Sequence, residues 1–180
     1  MLIGVVDDSD FGIENVSMNN PQTRIGARGI VCFNGKIAVF NKANKNEFKL
    51  PGGGVENDEE LELAFKREVL EETGCEVDIV CKLGEFEERK TIENFKQTSH
   101  VFVANVIKQT EQLNLTEKEK IEGAKLFWVD LDEAINLVSG CLENLKPSKF
   151  DSVYRTKFMV LRDLKILLYY KDYLNKKREA

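Results

Sequence analysis

Apolar and polar positions alternate through "HVFVANV" at 100–106, the two-residue period of a half-buried strand. That pattern predicts a strand over 98–107, preceded by another over 76–88. Upstream, "RIGARGIVCFNGKIAVFNK" holds two β-rich runs around Asn34-Gly35. Both residues of such a pair tolerate positive φ, so the segment predicts a β-hairpin. "LIGVV" predicts a short first strand, "EFKL" a brief one, and "KLFWVDL" a last one. The polar stretch from Asp7 to Thr23 reads as a loop or surface excursion, and the charged residues 108–124 as a connection rather than a linker between domains.

Elsewhere the spacing is helical. After the glycine run at 52–54, Asn57 or Asp58 is placed to cap a helix that runs to about Thr73 and stops at Gly74. "DLDEAINLV" predicts a short helix starting near Asp130 or Asp132, and 151–175 a longer C-terminal one. In the latter, "LKILLYYKDYL" has apolar residues on more than one face, which suits packing on the domain or on a second subunit in a homodimer. A sheet flanked by helices on two sides accounts for this order.

Composition narrows the picture. With 180 residues, 42% of them hydrophobic, a single domain spanning 1–180 is expected. A net charge of −5 argues against a general nucleic-acid or anionic-membrane surface. A polyanionic substrate would have to be met by local cations or metal ions. Cys32, Cys75, Cys81 and Cys141 form no CxxC pair, and His100 is the one histidine, so a zinc site has few ligands. The cysteines read as reduced residues of a cytoplasmic protein. "MLIGVVDDSDFGIEN" lacks the basic start and long apolar stretch of a signal peptide. "DFG" at 10–12 is read as a turn, because the glycine-rich loop and "HRD" of kinases are missing.

The stretch "LPGGGVENDEELELAFKREVLEETGC" at 50–75 raises a chemical question. At about 100° per residue, with Glu68 at 0°, Glu72 falls near 40° and Glu71 near −60°, among Leu61, Ala64 and Phe65 on one side. An unpaired charge buried there would cost several kcal/mol, and the partially negative end of the helix disfavours carboxylates further. Glu59 and Glu62 fall opposite, with Lys66, as a solvated face, while Arg67 with Glu71 or Glu60 can form a surface ion-pair ladder. Glu68 and Glu72 escape both explanations and require cations. Carboxylates one turn apart suit hard ions such as Mg²⁺ or Mn²⁺.

The same stretch resembles the Nudix box, G-x5-E-x7-R-E-U-x-E-E-x-G-U, with Gly53, Glu59, Arg67, Glu68, Val69, Glu71, Glu72 and Gly74 in register and Cys75 in place of the last aliphatic residue. The likeness extends over about residues 24–138, leaving the first 23 residues and the C-terminal helix outside. It implies an α/β/α sandwich around a mixed β-sheet. It also implies that Glu68, Glu71 and Glu72 hold Mg²⁺ or Mn²⁺, with the Gly53 carbonyl as a further ligand. Arg67 would orient the acidic cluster, Glu59 would steady loop and helix, and Cys75 would pack as the aliphatic residue does. Glu68 or Glu72 would serve water activation, with the base left open between them. In several family members a carboxylate outside the box completes the site; Glu122, in "EGAKLFW", is favoured here, with Glu117 and Glu119 as competitors.

The implied reaction is attack of water at the phosphorus of a diphosphate linkage in a nucleoside triphosphate or other nucleoside diphosphate derivative. The proline, tyrosine and "SQPWPF" signatures of particular subfamilies are absent. Arg24, Arg28 and Lys49 are candidates to meet phosphate. Phe33, Phe48 and Phe102 could stack a base, although core packing suits them better. A nucleotide-sensing or regulatory module without turnover is the alternative, and no nucleic-acid or membrane partner is expected.

Overall fold

The structure is a computed structural model that describes residues 1–110 and 113–179. In chain order the strands are β1 (Leu2–Asp7), β2 (Gln22–Phe33), β3 (Lys36–Lys42), β4 (Glu47–Lys49), β5 (Gly52–Gly54), β6 (Cys75–Lys90), β7 (Phe95–Gln109) and β8 (Ala124–Val129). The α-helices are α1 (Leu61–Thr73), α2 (Glu117–Ile121), α3 (Leu131–Cys141) and α4 (Val153–Glu179). The β2–β3 hairpin turns through Asn34 and Gly35 at φ 50° and 78°, the geometry that their side chains permit. The sheet runs β1-β6-β7-β2-β3-β4, with β5 added to β2 and β8 to β3. It is mixed, since β1 with β6 and β2 with β7 are parallel and the other pairs antiparallel.

Each face buries its own core. On one, Ile30, Val39, Phe86 and Val101 pack with Phe158, Ile166 and Leu167 of α4 and with Ala134 and Val138 of α3. On the other, Ala64, Phe65 and Val69 of α1 cover Ala27, Val31, Phe102 and Ala104. Phe65 and Phe102 stack at 5.3 Å between centroids. Cys75 is buried in this second core, filling the aliphatic position. The result is the expected α/β/α sandwich. Most apolar residues of α4 find cover on the chain itself, with Leu168 left exposed, and no helix among the described residues is long and apolar enough to cross a membrane.

Some boundaries differ from expectation. α1 starts at Leu61, with Glu60 at its cap position, because Asp58 adopts a left-handed φ of 61° and 55–60 continue as a loop. At the other end Gly74 has φ 64° and its N–H bonds the Leu70 carbonyl, which stops the helix. The connection 108–124 contains α2, whose Thr116 and Glu119 form a reciprocal capping box. In the N-terminal excursion, a 3₁₀ turn over Asp8–Phe11 buries Asp8, which accepts from the Thr91 amide and hydroxyl at 2.7 and 2.6 Å and from Tyr154 at 2.8 Å. That ties the chain start to α4.

Candidate active site

The second turn from the end of α1 faces β5, and glycine makes the approach possible. Gly52 has φ 133°, and a Cβ there would lie 2.4 Å from the Ala27 carbonyl oxygen. A Cβ on Gly53 would lie 2.3 Å from the Glu68 carboxylate. Glu72 accepts the Gly52 N–H at 2.8 Å and pairs with the Lys49 ammonium at 2.6 Å. Burial pushes its carboxyl up to about 7, against the opposing pull of Lys49 and the Gly52 amide. Glu68 accepts from Arg67 at 2.9 Å, and Glu71 stands 3.7 Å from the same guanidinium. Burial and the neighbouring Glu68 raise the Glu71 carboxyl.

Arg67 is a clamp. It donates to both oxygens of Glu59, at 2.8 and 2.9 Å, and to the Gly54 carbonyl at 3.1 Å. Glu59 also accepts the Glu56 N–H at 3.0 Å. The helical wheel that placed Glu59 on a solvated face fails because Glu59 precedes the helix; its carboxylate instead ties the loop to α1. Glu62 is exposed, as a solvated residue should be. The Gly53 carbonyl faces Gly26 across the β2–β5 pair, 3.1 Å from where a Cβ would stand on Gly26.

The structure does not bring Glu122 to this cluster. It is buried elsewhere, accepting from Lys42 and Ser148, each at 2.8 Å, with both oxygens committed. Glu119 instead lines the cleft with Glu68 and Glu72, held by its capping bonds to Thr116. Burial raises its carboxyl, but the Thr116 amide and Lys49 outweigh this and leave it below the usual range. Glu117 is exposed and pairs with Lys120.

The donor set fits a hard divalent cation in kind. Glu68, Glu72, Glu71 and Glu119 could supply oxygen ligands, and the missing side chain of Gly53 leaves room beside Glu68. Among the described residues no three carboxylates converge on one point. Their counter-charges are protein cations: the Lys49 ammonium stands between Glu72 and the Gly52 carbonyl, 3.4 Å from the latter.

The cleft, about 250 Å³, continues into a second cavity of about 340 Å³, with Arg24, Gln97, Asp151 and Met159 lining both. Its floor is a polar end of the sheet. Strand alternation turns Glu88 and Lys90 of β6 inward beside Gln97 and Ser99 of β7, and all four are buried. Arg28 of β2 donates to Ser99 at 3.1 Å. α4 closes this floor with Arg162, which pairs with Glu88 at 2.5 Å and Asp163 at 2.7 Å. Asp163 also accepts the Leu50 N–H at 2.9 Å, just before the glycine loop. Arg24, Arg28 and Lys49 all line the cleft, and Lys49 is already paired with Glu72.

The aromatic candidates are elsewhere. Phe102 is in the core, Phe33 packs on Trp128 and Phe48 on Phe127. The sequence reading missed Arg162, Asp163, Glu88 and Lys90. A signal existed: Phe158, Arg162, Ile166 and Tyr170 share a four-residue spacing, which puts a guanidinium on an apolar helical stripe.

A family model described as the NUDIX domain matches residues 23–150, and the chain belongs to the Nudix family. Over 102 residues it is 36% identical to diphosphoinositol polyphosphate phosphohydrolases 3-alpha and 3-beta of Mus musculus. That alignment covers 57% of this chain and 58% of each relative, so the chain spans little more than half the length of these curated relatives. Among solved structures, a NUDIX hydrolase from Nitrosomonas europaea superposes with a TM-score of 0.59 at 16% identity, over 87% of this chain and 91% of that one. The E. coli ORF135 protein gives 0.52 at 17% identity, over 84% and 91%. At such identities the structural likeness speaks for the fold.

Proposed function

We propose that this protein is a divalent-metal-dependent pyrophosphohydrolase that cleaves the diphosphate linkage of a small phosphorylated molecule, a nucleoside triphosphate or other nucleoside diphosphate derivative. The observation that carries this reading is the placement of Glu68 and Glu72 against backbone stripped of side chains at Gly52 and Gly53, in a cleft whose lining also includes Arg24, Arg28, Lys49 and Arg162. The names of the curated relatives, phosphohydrolases of a diphosphorylated compound, support it.

Glu68, Glu72 and Glu119 would hold Mg²⁺ or Mn²⁺, with Glu71 beside them. Bound there, the metal would neutralise phosphate charge and acidify water. Arg67 keeps Glu68 aimed at the loop and keeps the loop on Glu59. Glu72, raised by burial, or Glu68 would accept the proton of the attacking water. Lys49 would meet phosphate oxygens as the reaction spreads charge over them, and Arg28 a phosphate elsewhere on the same substrate. The free thiols at Cys32, Cys75, Cys81 and Cys141 support a reducing, cytoplasmic setting.

Incubation with nucleotides, nucleotide sugars, dinucleotides and diphosphorylated polyol phosphates in Mg²⁺ or Mn²⁺, with products identified by mass, should show cleavage at a diphosphate. Glu68→Gln and Glu72→Gln should each retain cooperative unfolding and lose at least about a hundredfold of turnover, the scale of a lost catalytic acid–base group. Turnover near wild type in both would sink the assignment. The non-turnover alternative predicts binding across that panel without any metal-dependent product.

A further inference from the structure

Two ionic networks, one buried and one partly so, border the cleft, and their charges do not add up alike. In one, Lys42, Lys45 and Lys118 face Glu47, Glu122 and Asp151, through contacts of 2.8 Å for Lys42 with Glu122, 2.7 Å for Lys45 with Glu47 and 2.7 Å for Lys118 with Asp151. Three cations meet three carboxylates. In the other, Arg28, Lys90 and Arg162 share only Glu88 and Asp163, and all five are buried. This network keeps one positive charge in excess, which is costly unless an anion joins it.

The excess has an address. The Nη2 atom of Arg162 is buried and has no hydrogen-bond partner among the described residues, although Arg162 lines the cleft. An orphaned guanidinium N–H₂ of this kind wants an acceptor oxygen. Arg28 stands only within 4.0 Å of its carboxylate, Asp163, and burial followed by repulsion from Arg162 lowers it to about 10. At the junction of the two cavities, exposed Arg24 makes no ion pair among the described residues and lines both. Among the described residues the cleft has no aromatic side chain and the second cavity has Phe95 alone, whose ring Lys90 already caps at 5.1 Å. The lining suits phosphate far better than a stacked base.

We propose that Arg162, Arg28 and Arg24 form a second anion subsite, which receives phosphoryl groups on the part of the substrate remote from the diphosphate. The preferred substrate is then a compact molecule phosphorylated at both ends, and specificity comes from α4, which lies past the region matched by the family model. This rests on the pyrophosphohydrolase reading above and adds the far half of its substrate.

The test separates the two. Inositol hexakisphosphate carries clustered phosphates and no diphosphate, so its binding in EDTA reads the subsite without turnover. Adenosine 3′,5′-bisphosphate tests whether a nucleotide bearing two phosphates serves as well, and AMP supplies a single phosphate. Calorimetry should show inositol hexakisphosphate, the bisphosphate or both binding at least about tenfold more tightly than AMP. Arg24→Ala and Arg162→Lys should each weaken the tighter ligand about fivefold or more, whereas Lys108→Ala, a surface cation paired with Glu76, should leave it within twofold. Arg24 is exposed and its variant should fold, so it decides the matter even if Arg162→Lys unfolds. Equal affinity for all three compounds, or an Arg24→Ala variant indistinguishable from Lys108→Ala, overturns the subsite. Persistence of metal-dependent cleavage in that case would show that the subsite alone had failed; binding as expected with no cleavage of any diphosphate would show that the hydrolase reading had.

Discussion

Helices α1 and α4 reach one cleft from opposite faces of the sheet and bring opposite charges to it. α1 offers Glu68 and Glu72, which need cations; α4 offers Arg162, which needs anions. The carboxylates are met by Lys49 and Arg67, whereas one face of the Arg162 guanidinium is met by nothing among the described residues. In the proposed reading, a substrate with its own negative charge would bridge the two. The contrast teaches that the acidic end of the cleft is written in a compact motif, while the cationic end, where the proposal places discrimination, is assembled from strands and a helix far apart in the chain.

The sharpest way to break the comparison is at Asp163. Asp163→Asn keeps an acceptor for the Leu50 amide but leaves Arg28, Lys90 and Arg162 facing Glu88 alone, and should cost about 3–5 kcal/mol in urea unfolding, the usual penalty for breaking a buried ion pair. A loss under about 1 kcal/mol would mean the network is far wetter than its burial suggests. Next comes acid. Burial would raise Glu88, yet Arg162, Lys90 and Arg28 outweigh it and hold the carboxyl at about 2, against an ordinary 4.5. With the folded value depressed, the stabilisation is present above about 4.5 and is lost as pH falls from there towards 2. The shift corresponds to roughly 3 kcal/mol. Glu88→Gln should therefore show a flatter stability curve over that window, and curves of equal slope would refute the assignment.

On the α1 side the effects are on rate. Gly53→Ala carries no left-handed φ, and the atoms its Cβ would meet are the mobile end of Glu68, so the melting temperature should change little. Turnover should fall about tenfold, equivalent to roughly 1.4 kcal/mol in the barrier, because the carboxylate must move aside. Unchanged turnover would argue that Glu68 works from another position. Smaller still, Glu119→Gln should raise the Mg²⁺ concentration needed for half-maximal rate by about threefold, an order-of-magnitude expectation for one ligand in a multi-oxygen site. Glu122→Gln should lower stability and leave the metal requirement alone. The reverse pattern would restore Glu122 to the site.

Much of the fold was legible in the pattern of residues because each signal was local. Asn34-Gly35 fixes a hairpin by its own φ preferences, Gly74 stops a helix, and the alternation of 100–106 marks a strand. Glu68 and Glu72 stood out by the same kind of local test, charge on a buried helical stripe. Glu59 misled the wheel because a wheel assumes a helix that has already begun. Glu122 and Glu119 lie three residues apart in one charged stretch, and what separates them is tertiary: Lys42 and Ser148 claim one, the cleft claims the other. Glu88 and Lys90, in "GEFEERK", read as ordinary strand charges until α4 covers them, and the sequence does not say what lands on them. Arg162 was within reach of the wheel test, since Phe158, Ile166 and Tyr170 surround it at helical spacing.

The hydrogen bond from the Leu50 amide to Asp163 gives the domain a physical boundary different from its homology boundary. A chain ended at residue 150, where the family match stops, would lose the acceptor that anchors the start of the glycine loop. It would also lose the cover over Phe86 and Val101 and the Arg162 guanidinium that pairs with Glu88. Fragments cut by homology alone should therefore be expressed as aggregates. Sequence searches for equivalent proteins should extend past the matched region, to ask whether a buried arginine follows it on a terminal helix.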